Sequence, residues 1–271
     1  MDIFQSFTLG VVQGLTEFLP ISSSGHLIIV PEFFNWGDFS NNITFDVAVH
    51  LGTAVAVLIF FWKDWLRIVS AFVKNLSKPK SLLSDFDSKF LIMIAVGSIP
   101  AAIVGLLFED IIVEQIRRPE VVAVTLIVFA LVLFYADRVG KKNRSFGKLN
   151  FKDAIFVGVA QALALVPGVS RSGITITAGL LANLDRETAA KFSFMLATPT
   201  IFGAGALKVK DAMGVGLGDL NIEILLIGTL TSGVVGFMAI KYLFGYVLNH
   251  NYNLFVWYRL AIGIIALLLF F

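Results

Sequence analysis

Cysteine is absent from the 271 residues, which excludes disulfides, iron–sulfur clusters, thiolate metal sites and cysteine nucleophiles together. Charge is scarce: 21 basic and 19 acidic residues make up only 15% of the chain, where a soluble domain carries about 25%. These side chains are too few and too clustered to cover a soluble protein. The net charge of +2 excludes a strongly basic nucleic-acid binder, and so little charge also excludes disorder and a coiled coil. No basic stretch precedes an apolar run with a small-residue cleavage site, so no removable signal peptide is expected. What fills the chain is apolar. Hydrophobic residues make up 57%, phenylalanine alone 26, and the mean hydropathy is +0.85. The apolar runs are continuous rather than alternating, which argues against a β-barrel. This is the composition of an all-α, polytopic membrane protein.

A bilayer core of about 30 Å takes roughly 20 apolar residues per helix. Six runs meet that need: Thr44–Trp62, Phe90–Phe108, Val121–Ala136, Phe192–Leu207, Ile222–Ile240 and Leu254–Phe271. Two further runs are interrupted. The first is Ile3–Leu19, broken by Pro20-Ile21-Ser22-Ser23-Ser24-Gly25 before His26–Phe34. The second is Phe151–Val166, broken by Pro167-Gly168-Val169-Ser170-Arg171-Ser172-Gly173 before Ile174–Leu184. Each second limb is too short to span. Irregular backbone at membrane depth survives only where it lines a cavity or is buried in protein. Both segments therefore read as re-entrant helix–loop–helix hairpins.

Basic residues set the sidedness. Lys63, Arg67, Lys74, Lys78, Lys80 and Lys89 share one loop, and Arg138, Lys141, Lys142, Arg144, Lys148 and Lys152 another. Two spans separate these loops, so both lie on one side, which the positive-inside rule makes cytoplasmic. The loop between them holds only Arg117 and Arg118, and Asn35–Ile43 holds no basic residue. Both termini are then expected outside, with the first hairpin entering from outside and the second from the cytoplasm.

The two hairpins align without a gap at an offset of 148: Gly10, Gln13, Leu15, Ser22, Ser24 and Gly25 meet Gly158, Gln161, Leu163, Ser170, Ser172 and Gly173. Ser23 faces Arg171, and His26 faces Ile174. Each hairpin precedes three spans, an odd number, so the second copy inverts. The expected architecture is an inverted-topology repeat (about 1–136 and 151–271) within one integral-membrane domain spanning 1–271.

The polar residues in these apolar surroundings are the candidate site. Gln13 and Glu17 are four apart on one helix face, and a carboxylate at that depth must be neutralised, paired or hydrated. Ser22, Ser23, Ser24 and Gly25 open a short helix, where free amides and the positive dipole end make an anion site. Such serines also serve simply as helix caps. His26 follows at once, and a serine and histidine beside a carboxylate suit a nucleophile and a proton carrier. Gly168, Ser170, Ser172 and Gly173 form the equivalent start in the second hairpin. Arg171 is the lone basic residue at its depth and is suited to bidentate phosphate contact; a structural ion pair with Glu17 is the plainer reading. Asp46, His50 and Arg259 are weaker candidates, the last reading as a snorkelling anchor beside Trp257 and Tyr258. Together these groups favour a phosphorylated amphiphile and phosphoryl transfer to water. Ser23 is the expected nucleophile, with His26 moving its proton and Glu17 orienting His26 or holding a metal. The rival route is direct attack by a metal-bound or His26-activated water, with Ser23 only donating a hydrogen bond. A carrier or flippase of a phosphorylated lipid would use the same anion site and remains the alternative.

The ordered motifs Gln13-Gly14-Leu15-Thr16-Glu17-Phe18-Leu19-Pro20-Ile21-Ser22-Ser23-Ser24-Gly25-His26 and Pro167-Gly168-Val169-Ser170-Arg171-Ser172-Gly173 resemble those of the undecaprenyl-diphosphatase (bacitracin-resistance) family. The resemblance covers essentially the whole chain. It implies a bacterial inner-membrane enzyme converting undecaprenyl diphosphate to undecaprenyl phosphate, the lipid carrier recycled in peptidoglycan synthesis. It also implies an inverted repeat with two hairpins and an active site open to the periplasm. The catalytic positions it carries over are Glu17, Ser23, His26 and Arg171, with Ser24 and Ser170 lining the head-group site. The family's activity depends on a divalent cation, Mg or Ca, which Glu17 would bridge to the diphosphate. The first position of the family's (Glu or Gln)-x-x-x-Glu pattern is Gln13 here. Gln can ligate through its carbonyl but cannot act as a base, which argues against a two-carboxylate mechanism for this chain. Partners expected are the prenyl diphosphate and membrane lipid, with no nucleic acid; a homo-oligomer is compatible with the sequence. A second lipid-phosphatase superfamily is excluded, since its Lys-x6-Arg-Pro motif would need Lys where Ile111 stands and its histidine would occupy the place of Thr177.

Overall fold

The structure is a computed structural model that describes residues 1–36, 43–111, 115–215 and 221–270. It is all-α, with no β-strand among the described residues. The helices are α1 (Ile3–Phe18), α2 (Ser23–Phe33), α3 (Ile43–Phe60), α4 (Trp62–Asn75), α5 (Pro79–Ser84), α6 (Phe86–Ile111), α7 (Pro119–Val139), α8 (Phe151–Ala162), α9 (Arg171–Leu181), α10 (Arg186–Val215), α11 (Ile222–Val247) and α12 (Asn253–Phe270). Phe271 and most of the Asn35–Ile43 loop fall outside the described residues.

Among the described residues, four helices are long and apolar enough to cross a membrane: Phe86–Phe108, Pro119–Val139, Ile222–Val247 and Asn253–Phe270. Their outward faces carry large apolar side chains such as Leu107, Leu131, Leu230 and Leu268, the inverse of a soluble surface. A fifth span is formed if α3 and α4 are one crossing, but the chain bends there by 74°. The expected Thr44–Trp62 run thus ends at Phe61, and α4 departs in a new direction with Lys63, Asp64, Arg67 and Lys74 on it. The expected Phe192–Leu207 run lies within α10 and is not among these candidate spans. Phe192 through Thr198 are all buried, and a helix segment surrounded by protein tolerates Ser193 and Thr198 more readily than a lipid-facing one.

Both interrupted segments are helix–break–helix units. Their first limbs start on capping boxes, Asp2 with Gln5 in α1 and Asn150 with Asp153 in α8, again 148 residues apart. Each box satisfies orphan amides that the first turn leaves free. The second limbs α2 and α9 have 11 residues each, about 16 Å of helix and half a bilayer core. Their caps match too. Ser22 (φ 77°) and Ser170 (φ 71°) both sit at positive φ and accept a hydrogen bond from the amides of Gly25 and Gly173, at 3.3 and 3.1 Å. A positive φ is uncommon for serine; the cap hydrogen bond holds it there.

The halves interlock. α1 packs on α11 and α8 on α6, so each first limb lies against a helix from the other half, while α3 pairs with α10 and α7 with α12. Small residues permit the close approach. A Cβ added at Gly158 would stand 2.2 Å from the Gly97 carbonyl oxygen, and one at Gly10 would stand 2.8 Å from that of Gly228. This crossing brings the two breaks together at the molecule's centre.

Candidate active site

Glu17 ends α1 and points at the meeting place of the breaks. It is buried, and every acceptor position on it is contested. Arg171 pairs with Oε1. On Oε2, Ser23 Oγ donates at 2.5 Å and Gln13 Nε2 at 2.9 Å, and His50 Nε2 lies 3.5 Å away. Gln13 reaches Glu17 because residues four apart share a helix face. Ser23 reaches it because the break turns α2 back over α1, and Arg171 because the second break lies opposite.

These groups line a cavity of about 360 Å³, within the usual range for a small-molecule site. Glu17, Ser22, Ser23, Ser24, Ser170 and Arg171 are on its wall, joined by Asp46, His50, Arg117, Gln161 and Thr200, with Val47, Ala101, Leu165 and Ile201 forming an apolar side. The first amides of α2 and α9 have no intrahelical partner by construction, so two positive helix ends open on one space. The Arg171 Nη1 atom is buried without a hydrogen-bond partner, as is the Oε1 of both Gln13 and Gln161. A buried guanidinium nitrogen left unpaired is a donor without an acceptor.

Half of the residues singled out in the sequence are therefore on the wall, and the rest stand behind it. Gln13 supports Glu17 from within the packing. Ser172 Oγ donates to the Leu19 carbonyl at 3.1 Å, tying one break to the other. Gly25 and Gly173 give their amides to the caps. Gly168 adopts φ +87°, and a Cβ there would stand 2.0 Å from Thr125 Oγ1, so glycine is required by both backbone and space.

His26 is not where the sequence suggests. It is buried off the cavity, its ring stacked on Tyr258. Nδ1 lies 2.7 Å from the Ser22 carbonyl and Nε2 2.8 Å from the Tyr258 hydroxyl. A carbonyl only accepts, so Nδ1 carries the proton and Nε2 takes one from Tyr258. Both nitrogens are engaged, and neither faces Ser23 or Glu17. The expectation that Glu17 orients His26 is corrected accordingly: the histidine beside Glu17 is His50. Its Nδ1 lies 2.6 Å from the Asp46 carbonyl, which fixes the proton there by the same reasoning and turns Nε2 toward the carboxylate. The signal for it in the sequence was Asp46 and His50, four apart at the start of an apolar run.

Arg259 is also corrected. It is fully buried, not snorkelling. Its guanidinium donates to the carbonyls of Pro20 (3.3 Å), Gly168 (3.0 Å) and Val169 (3.0 Å) in the two breaks, and to Thr125 (3.5 Å) and Leu126 (3.3 Å) in α7. Broken helices leave carbonyls without partners, and one planar donor group collects them. A cation thus pins both breaks to α7.

Comparison with known proteins agrees with this site. The chain matches the family described as Bacitracin resistance protein BacA over residues 6–265. It is 42% identical to an undecaprenyl-diphosphatase of Thermodesulfovibrio yellowstonii over 270 residues, covering 100% of this chain and 98% of the relative. It is 46% identical to undecaprenyl-diphosphatases of Geotalea daltonii, covering 98% of both chains, and of Moorella thermoacetica, covering 100% and 98%. With the two broken helices, the serine on a buried carboxylate and the arginine opposite all within the matched length, this multi-pass membrane protein belongs to the bacitracin-resistance, or undecaprenyl-diphosphatase, family.

Proposed function

We propose that the chain hydrolyses undecaprenyl diphosphate to undecaprenyl phosphate and inorganic phosphate. The observation that carries the chemistry is the Ser23 hydroxyl donating to Glu17 at 2.5 Å with Arg171 on the other carboxylate oxygen. Ser23 Oγ attacks the terminal phosphorus and gives its proton to Glu17 Oε2. The bond from that phosphorus to the bridging oxygen breaks, and the prenyl phosphate leaves with the electron pair. Glu17 passes the serine's proton to His50 Nε2, whose lone pair faces the carboxylate, and is ionised again when water attacks the phosphoserine. It accepts the water's proton and returns it to Ser23 Oγ, which leaves with the electron pair of its bond to phosphorus. Arg171 and the amides of α2 and α9 hold the charge on the transferring group. This sequence replaces His26 with Glu17 and His50 as proton carriers, leaving His26 to brace the break through Ser22 and Tyr258.

Among the described residues, no group of three His, Asp or Glu side chains is placed to hold a metal. The donor on the wall that suits a hard cation arriving on the diphosphate is the Glu17 carboxylate, which would hold Mg or Ca. Such a cation would supply neutralisation of phosphate charge. The architecture that accommodates this is one integral-membrane domain of six spans and two re-entrant hairpins in an inverted repeat. Its support is the matched caps and the interlocked halves. With the twelve basic residues of the two cytoplasmic loops, this reading opens the Glu17 cavity to the periplasmic side of the inner membrane. A carrier of the same lipid needs an anion site but has no use for a serine hydrogen-bonded to a carboxylate.

The test is phosphate release from a prenyl diphosphate in detergent, where vectorial transport has no meaning. Wild-type protein is expected to turn over, and binding without turnover would refute the hydrolase. Ser23→Ala is expected to lose nearly all activity, because loss of a hydrogen bond alone costs only ~1–3 kcal/mol, roughly 5- to 150-fold. A tenth of the rate surviving would make water the attacker.

A further inference from the structure

The cavity contains two arginines, and the reaction as described uses only one. Arg117 precedes the N-cap residue of α7 and pairs with Asp46 in the first turn of α3. Both line the cavity with Glu17 and Arg171. His50 connects the two ion pairs: its ring meets the Glu17 carboxylate on one side and the Asp46 backbone carbonyl on the other. The two carboxylates differ in exposure: the Glu17 side chain is 3% exposed and that of Asp46 14%, while Arg171 and Arg117 are alike at 16% and 17%.

Two carboxylates and two guanidiniums leave the resting wall balanced in charge. A diphosphate brings two anionic groups. One guanidinium makes bidentate contact with one phosphate, and Arg171, through Glu17, belongs to the phosphorus that Ser23 attacks. The second phosphate, attached to the lipid, is left to the other guanidinium on the wall, Arg117. A partly exposed ion pair is weak enough to exchange partners. We infer that Arg117 leaves Asp46 to bind the lipid-side phosphate, making it the residue that selects a diphosphate over a monophosphate. Asp46 is its resting partner and competes with the phosphate for it. When the anhydride is cleaved, Arg117 returning to Asp46 favours release of the monophosphate. The inference rests on the hydrolase reading for its chemistry, but its binding can be measured without turnover.

The experiment compares Arg117→Gln and Asp46→Asn in detergent, using inorganic diphosphate and inorganic phosphate as competitors of prenyl-diphosphate hydrolysis and as ligands in thermal-shift titrations. Arg117→Gln is expected to weaken diphosphate binding and raise KM about tenfold, with phosphate binding and kcat changed less than about threefold. Asp46→Asn is expected to move diphosphate binding the other way, severalfold tighter, because the competing carboxylate is gone. An ion pair that only holds α3 to α7 would make both variants lose binding and stability together. Equal weakening in both variants, or diphosphate binding in Arg117→Gln equal to wild type, overturns the inference. If Arg117→Gln does not fold, the sign of the Asp46→Asn change decides alone. Diphosphate stabilisation that depends on Arg117 in a wild-type protein releasing no phosphate would refute the hydrolase and leave the site standing.

Discussion

At the level of single side chains, the cavity is organised by competition for one carboxylate. Glu17 is short of lone pairs, not of partners: a guanidinium, a hydroxyl, an amide and an imidazole all approach it. An incoming phosphate can take Arg171 because the unpartnered Nη1 already offers one donor. Replacing Arg171 with Lys keeps the charge but removes the planar pair of donors. Steady-state kinetics on Arg171→Lys should show kcat reduced by about 100-fold with a smaller change in KM, as expected when the lost contact is strongest in the transition state. Near-native kcat would leave Arg171 a counter-ion to Glu17 only. Glu17, Ser23 and Arg171 were legible in the sequence because polar residues are costly at that depth and stand out against the apolar background. Arg259 carried the same signal and was misread. Its neighbours Trp257 and Tyr258 suggested an interface, whereas its actual partners are carbonyls contributed by three separate segments.

Among the elements, the breaks and their packing matter most. The Pro20 and Pro167-Gly168 interruptions announced both helix breaks, and the capping boxes at Asp2 and Asn150 fixed where the first limbs start. The offset of 148 holds down to the cap geometry of Ser22 and Ser170 because the shared Ser-x-Ser-Gly dictates the same local hydrogen bonds. The partner of each limb is another matter. That α8 lies on α6 depends on Gly158 and Gly97 touching through their backbones, 61 positions apart in a sequence where neither glycine announces the other. Gly158→Ala must separate these helices, and overpacking of this kind costs about 1–3 kcal/mol. Thermal unfolding in detergent should show a clear drop for Gly158→Ala and none for Gly147→Ala, where a Cβ meets nothing within 4 Å. Equal unfolding temperatures for the two would mean that the α6–α8 contact is looser than described.

For the molecule as a whole, the proposed orientation rests on the distribution of charge, and the chain offers a direct check because it has no native cysteine. Ser77 and Ser145 lie in the two loops richest in basic residues. Single cysteines at either position should stay unlabelled by an impermeant thiol reagent in intact cells and react once the membrane is opened. Labelling in intact cells would invert the topology and move the cavity to the cytoplasmic side. Composition, apolar run length and interruptions made the membrane class, the helices and the two helix breaks readable, since each follows from one segment's affinity for lipid and from its own backbone hydrogen bonds. Which histidine meets Glu17, where Arg259 ends, and that Arg117 shares a wall with Arg171 were settled by packing alone. His26 and His50 are equivalent as residues on apolar helices; the direction in which α2 leaves its break turns one toward Tyr258, and the crossing of α3 with the hairpin turns the other toward the carboxylate. Those directions come from contacts between segments far apart in the chain, and pairings of that kind leave no periodicity for a single sequence to show.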